Sequence, residues 1–407
     1  MITRKILPAM VFSFACFLLP GCAPDERPGG AENGAAFGGT VPGFRKTPGA
    51  RSEYVLGTFC RIDLFDEGRP ELYDRLFARL AELDRILSAN REDSELAAVN
   101  RDAGKEAIRV TPELYTVLER ALYFAEASGG AFDPTVGPLV KLWDIGGRSG
   151  GGVDDADDGA DYGGDYGGPQ IPPAGEIAAA LALVNWRDVE LLPLPAGARD
   201  SDNFRGGAFL GRSGMSLDLG AIAKGYAADE LVRILNEAGI RRALIDLGGN
   251  IYIWGNKDDG QPWRVGIQNP LDERGSYVGI LETESASVVT SGIYERYFTG
   301  ADGKRYHHIL STGRTASGDR ESPAEPSASP GYPVENGILS VTIIAASSMD
   351  ADALSTSCFA LGYEQGRVLA EANGAKAIFI FADKTIRGSK DALAAFTVTD
   401  KAYRKEL

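Results

Sequence analysis

Apolar residues recur at two different periods along this chain, and the switching between them predicts a mixed fold. Leu72, Leu76, Leu80, Leu83 and Leu87 fall three or four positions apart between Pro70 and Ser88, which places them on one helical face. Thr111-Pro112-Glu113 supplies a cap, a first-position proline and a first-turn acid for a second helix, which Gly129-Gly130 stops. Further helices are expected near Lys224 to Ala238 and Ala351 to Ala372. "EYVLGTFCRIDLF" (Glu53 to Phe65) reads as a strand, as do "ALIDL", "IYIWG", "WRVGIQ", "VGILE", "LSVTIIA" and "AIFIF". Strands outnumber helices and several follow one another directly, so the expected class is α+β rather than a doubly wound parallel sheet.

The segments outside this patterning set the domain organisation. Arg4 and Lys5 precede an apolar run from Ile6 to Leu19 that stops at Leu19-Pro20-Gly21-Cys22, the layout of an export signal, too short and wrongly flanked for a membrane span. The small residue before cysteine resembles the lipobox of bacterial lipoproteins. That resemblance implies cleavage after residue 21, a lipid on Cys22, and a protein anchored to a membrane on its periplasmic side. Residues 22–50 are mostly Gly, Pro, Ala and charge and read as a flexible tether. The globular domain is then expected over 51–407, interrupted by low-complexity insertions near 146–169 (Gly and Asp) and 316–330 (Ser, Pro and Glu). The Asp-rich insertion lacks the alternating ligands and terminal Glu of a calcium loop.

Charge and cysteine content narrow the function. The chain carries a formal charge of −15, and loss of residues 1–21 removes Arg4 and Lys5 but no acid. An acidic surface without a basic patch excludes nucleic acid as an expected partner. Cys60 and Cys358 are the thiols left beside Cys22 and Cys16, and no Cys/His cluster of zinc spacing occurs.

Three stretches carry candidate chemistry. In "SLDLGAIAKGYAADEL" (Ser216 to Leu231) a strand-like run meets a Gly220 bend and a helix, with Lys224 in the first turn. A lysine there opposes the helix dipole unless an anion is near, so the stretch is either an ordinary loop or an anion site. In "SSMDADALSTSCFALG", Asp352 and Thr356 stand four apart on one helical face, a hard-oxygen pair that suits Mg²⁺ or, equally, an acid and a filler at a helix start. "RYHHILSTG" holds both histidines; neighbours on a strand face opposite ways, so His307 and His308 cannot chelate one metal together, and either one facing a cleft could act as acid or base.

Taken in order from about Glu53 to about Thr399, "LGTFCRIDL", "ILSANREDSELAAVN", "GGAFDPTVGPLVKLW", "SLDLGAIAKGYAAD", "ALIDLGGNIYIWG", "SVVTSGIYERYF", "YHHIL", "GYPVENG" and "DADALSTSCFALG" resemble the ApbE family of FAD:protein FMN transferases. The resemblance implies a T-fold-like, two-part α+β protein that takes FAD in a cleft between the parts, with Mg²⁺ at the diphosphate. It places metal ligands at Ala221 (through its carbonyl), Asp352 and Thr356, with Ser355 adjacent, and flavin contacts at Leu56, Asn90, Ala131, Phe132, Asp133, Asp218, Lys224 and Ile309. The candidate catalytic set is His308, Lys224 and Asp218, with His308 as the base. The implied reaction joins FMN to a Ser or Thr hydroxyl of an exported acceptor protein and releases AMP. Rival readings are an FAD pyrophosphatase on the same site and a flavin-storage lipoprotein. Two positions depart from the family pattern: Asn90 stands where many members have Tyr, which removes an aromatic stacking surface, and Ser311 replaces an Asp beside an insertion.

Overall fold

The computed structural model describes residues 47–66, 70–148, 171–193, 204–314 and 329–406. The export signal, Cys22, residues 22–46 of the tether and nearly all of both insertions lie outside the described residues. The first strand begins at Gly49, so the globular domain starts just inside the segment expected to be tether.

A nine-stranded sheet runs from the edge strand Gly49–Val55 through Thr58–Leu64, Ala243–Leu247, Asn250–Trp254, Ala286–Gly292, Ile338–Ala345, Lys376–Phe381 and Thr385–Gly388 to Arg404–Lys405. Each neighbouring pair is antiparallel except the last. The expected α+β class therefore holds.

Alternate residues of the central strands enter different cores. Ile245, Leu247, Val341, Ile343 and Phe379 pack with the helices Pro70–Leu87, Pro112–Ala127, Ala223–Glu237 and Ser348–Leu361. Leu244, Ile253, Ile344, Ile378 and Ile380 pack instead with the small sheet of Trp263–Gln268, Tyr277–Thr283 and Phe396–Val398. Burial on both faces is why "AIFIF" is a continuous apolar run and "ALIDL" is broken only by Asp246, rather than alternating. A third, smaller cluster gathers Leu139, Trp143, Ile177, Leu181, Phe298 and Tyr306 away from both.

Two elements differ from expectation. Glu53 to Phe65 is not one strand but a hairpin, because Leu56 and Gly57 form a two-residue turn with φ of 56° and 70°. The apolar alternation continues across this turn, which hides it. The helix expected over Ala351 to Ala372 is two helices, Ser348–Leu361 and Tyr363–Ala372. Gly362 at φ 79°, ψ 179° occupies backbone space open essentially to glycine alone, and it breaks the run.

The turn at Gly248-Gly249 joins two central strands, and the buried Asp246 carboxylate accepts the Gly249 N–H at 3.1 Å. Burial pushes this carboxyl up to about 6, outweighing the two glycine N–H groups that favour its charged form. A raised acid in the folded state contributes stability below its unfolded value that is lost as pH rises through the folded one. Asp246→Asn, which keeps the acceptor oxygen, is thus expected to match the parent near pH 4 and to exceed it by up to about 3 kcal/mol at pH 8. Denaturant unfolding at the two pH values checks this, and equal stability of the two proteins at pH 8 would refute it.

Candidate active site

The stretch entering the site is extended but belongs to no sheet. Ser216 makes only an isolated bridge to Val136, and the expected strand pairing is replaced by a side chain. Asn100 Nδ2 donates to the Leu217 carbonyl at 3.0 Å and its Oδ1 accepts the Leu217 N–H at 2.7 Å. Beyond it, the Asp218 N–H donates to the Pro134 carbonyl, and Asp218 Oδ1 accepts the Gly220 N–H at 2.8 Å. Asp218 thereby shapes the bend before the helix Ala223–Glu237.

At the start of that helix a first-turn donor finds its partner on another helix. With Ile222 as the N-cap, the Gly225 N–H is among the donors that have no acceptor in their own helix. It donates to Asp352 Oδ2 at 3.0 Å, and among the described residues the Ala221 carbonyl accepts no hydrogen bond. The close approach requires glycine, since a Cβ at 225 would stand 2.2 Å from the Ser348 carbonyl oxygen. Lys224 donates to the Gly220 carbonyl at 3.1 Å, and its Nζ lies 3.9 Å from Asp352 Oδ1. Asp352 is buried; burial raises its carboxyl, and the Lys224 charge draws it partly back.

Asp352 and Thr356 share a face of the helix Ser348–Leu361, as their spacing predicts. Ser291, on the facing strand, reaches both hydroxyls beside them: 2.7 Å to Ser355 Oγ and 3.4 Å to Thr356 Oγ1. Ser355 also donates to the Asp352 carbonyl at 2.8 Å, so it braces the helix turn. Among the described residues no three His, Cys, Asp or Glu side chains gather as a metal cage. The set present is one carboxylate, one free main-chain carbonyl and one weakly engaged hydroxyl. Its hard oxygens fit Mg²⁺, which keeps most of its shell for water and substrate phosphate.

Glu295 joins this cluster and was not singled out from the sequence, although it lies within "SGIYERYF". A Cβ on Gly249 would stand 3.7 Å from Glu295 Oε1. The residue is exposed, and desolvation by the protein around it pushes its carboxyl up, against the pull of Lys224 and Arg296.

The two histidines separate as expected. His307 is buried, with Nε2 2.9 Å from the Val334 carbonyl and Nδ1 accepting the Ile309 N–H. His308 Nδ1 lies 3.3 Å from the Arg296 carbonyl. Burial, with further pressure from His307, Arg296 and Lys224, lowers His308 to about 3.

The remaining candidates are placed less centrally. Leu56 sits at the hairpin turn, next to Thr58, whose side chain fills the space a Cβ on Gly248 would need. Ala131 and Phe132 are buried, and the Asp133 carboxylate is engaged by the Thr135 N–H and hydroxyl and by the Trp186 N–H. Ile309 is buried and paired with Val334. Asn90 is exposed, its carboxamide making no hydrogen bond among the described residues.

Comparison with known proteins identifies the family. Residues 56–379 match the ApbE family. The chain is 38% identical to the FAD:protein FMN transferase of Treponema pallidum over 87% of its own length and 90% of that protein. It is 33% identical to a protein of the same name from Klebsiella pneumoniae, over 87% and 95% of the two chains. Among solved structures, the ApbE protein of Thermotoga maritima superposes with a TM-score of 0.66 at 28% identity, covering 86% of this chain and 99% of that one. The flavin transferase ApbE of Vibrio cholerae gives 0.65 at 26% identity, covering 85% and 98%. With its family match spanning most of the chain and its fold shared with ApbE structures, this protein is an enzyme of the ApbE family.

Proposed function

We propose that this protein transfers FMN from FAD to a Ser or Thr hydroxyl of an exported acceptor protein and releases AMP, with Mg²⁺ as its metal. The observation that carries the reading is the bond from the Gly225 N–H to Asp352 Oδ2, which ties this carboxylate to the helix start beside Lys224. Ala221, Asp352 and Thr356 would hold Mg²⁺, which when bound neutralises diphosphate charge. Lys224 presents its ammonium to the same charge, and Asp218 keeps the loop bent so that both approach one face. His308 accepts the proton of the acceptor hydroxyl; that oxygen bonds to the FMN phosphorus, and the bond from that phosphorus to the bridging oxygen breaks, AMP carrying the bridging oxygen away.

Exposure of Asn90 without an aromatic at that position favours a second outcome on the same site, in which water replaces the acceptor and FAD is hydrolysed to FMN and AMP. One experiment separates the readings: protein, FAD and Mg²⁺ incubated with and without a Thr-containing acceptor peptide. FMN mass added to the peptide supports transfer, and AMP accumulating over many turnovers without peptide supports hydrolysis. Flavin that stays stoichiometrically bound and unreacted in both arms would overturn both in favour of a flavin carrier.

Membrane attachment through a lipid on Cys22, facing the periplasm where exported acceptors are met, completes the proposal. Cys22→Ala is expected to move the protein from the membrane fraction to the soluble fraction, and unchanged partitioning would count against the anchor.

A further inference from the structure

The donors proposed for the metal come from two helices, and one carboxylate outside that set ties the two together. Asp229 lies four residues after Gly225, on the same face of the helix Ala223–Glu237. Its Oδ1 accepts the Ser348 N–H at 2.8 Å, and its Oδ2 accepts the Met349 N–H and the Ser347 hydroxyl at 3.0 Å each. Ser347 is the N-cap of the helix Ser348–Leu361, so Asp229 satisfies first-turn N–H groups that have no partner within their own helix, and its negative charge suits that helix end. One turn earlier on the same face, Gly225 has no side chain and lies directly against the backbone of Ser348 and Met349. One turn further along the second helix stands Asp352, the acceptor of the Gly225 N–H.

We propose that Asp229 is the positioning residue of this site: by locking the two first turns in register it keeps Asp352 seated against the Gly225 N–H. That N–H is a first-turn donor with no partner in its own helix, and Asp352 Oδ2 is the acceptor the second helix brings to it. If the second helix withdraws, this bond is lost. The Asp352 carboxylate then moves away from the first helix and from Lys224. A second fastener holds the same helix without touching this contact: Arg120 pairs with Asp350 through Nε and Nη2 at 2.7 and 2.8 Å. Loosening that pair weakens the docking of the helix in general and leaves the Asp229 bonds in place.

The inference rests on the metal reading given under Proposed function, and the experiment tells the two apart. Mn²⁺ alone is titrated into the whole metal-free protein and free Mn²⁺ is read by electron paramagnetic resonance, for the parent, Asp229→Ala, Asp229→Asn and Arg120→Ala, with circular dichroism confirming that each is folded. The parent is expected to bind one Mn²⁺. Asp229→Ala is expected to bind at least about tenfold more weakly, the range found when a residue supporting metal ligands is lost. Asp229→Asn, which keeps one acceptor oxygen, is expected to fall between, and it carries the test if the alanine variant does not fold. Arg120→Ala is expected to stay within about twofold of the parent. Equal binding by the parent and both Asp229 variants would overturn the role of Asp229, and so would an equal loss in Arg120→Ala. A parent that binds no Mn²⁺ would overturn the metal reading itself.

Discussion

Exchanging His308 for glutamine is expected to abolish FMN transfer while FAD still binds. The Nδ1 atom of His308 lies 3.3 Å from the Arg296 carbonyl, which has no proton to give, so Nδ1 carries the hydrogen and donates it. Nε2 is then the unprotonated nitrogen. With its pKa lowered to about 3, the ring is neutral through the ordinary pH range and Nε2 keeps its lone pair free, as a weak base in the free protein. Glutamine can replace the hydrogen bond but is no base, so kcat should fall by about 10² to 10⁴, the usual contribution of a positioned general base. His308 is not among the residues expected to contact FAD, so the affinity for FAD should change little. The pH profile gives a second reading of the same point: kcat/KM of the parent should lack an acid limb at the usual imidazole value near about 6.5. Transfer by His308→Gln at the parental rate would remove His308 from the mechanism, whereas a limb near that value would mean that the ring is ionised in the free protein.

How much of this was legible in the sequence depended on how far apart the interacting residues lie. The helix Pro70–Leu87 and the Thr111-capped helix Pro112–Ala127 follow from local spacing, and both formed where the periodicity put them. The nine-strand sheet was visible as a set of apolar runs, but its hairpin at Leu56-Gly57 was not, since alternation alone does not mark where a strand turns back. The break at Gly362 was hidden for a related reason: helical periodicity resumes at once on its far side. Lys224, Asp352 and Thr356 were singled out because their spacing within each motif is local, and Ala221 through the family resemblance. The bonds that make them a site join residues 127 apart for Gly225 and Asp352, and 117 apart for Asn100 and Leu217. Gly225 and Asp229 were therefore not singled out. Both owe their role to a second helix whose proximity no local pattern records.

Alanine at Gly225 is expected to weaken both the fold and the site, although helix propensity alone predicts the opposite. In an isolated helix the change should be favourable by about 0.5–1 kcal/mol, because glycine gives up more backbone freedom on folding. Here the new Cβ would meet the Ser348 carbonyl oxygen at 2.2 Å and the Met349 Cα at 2.6 Å. Both are backbone atoms, so no rotamer change relieves the contact, and the two helices must separate by roughly 1 Å to restore van der Waals distance. Overpacking of this kind costs about 1–3 kcal/mol, which exceeds the propensity gain over most of that range. The same separation stretches the 3.0 Å bond from Gly225 to Asp352 beyond useful hydrogen-bond length. Thermal unfolding should therefore show a net loss of about 1–2 kcal/mol, and the Mg²⁺ concentration for half-maximal transfer should rise about tenfold or more. A more stable variant with unchanged metal dependence would mean that propensity wins at this position and that the close approach of the two helices does not build the site.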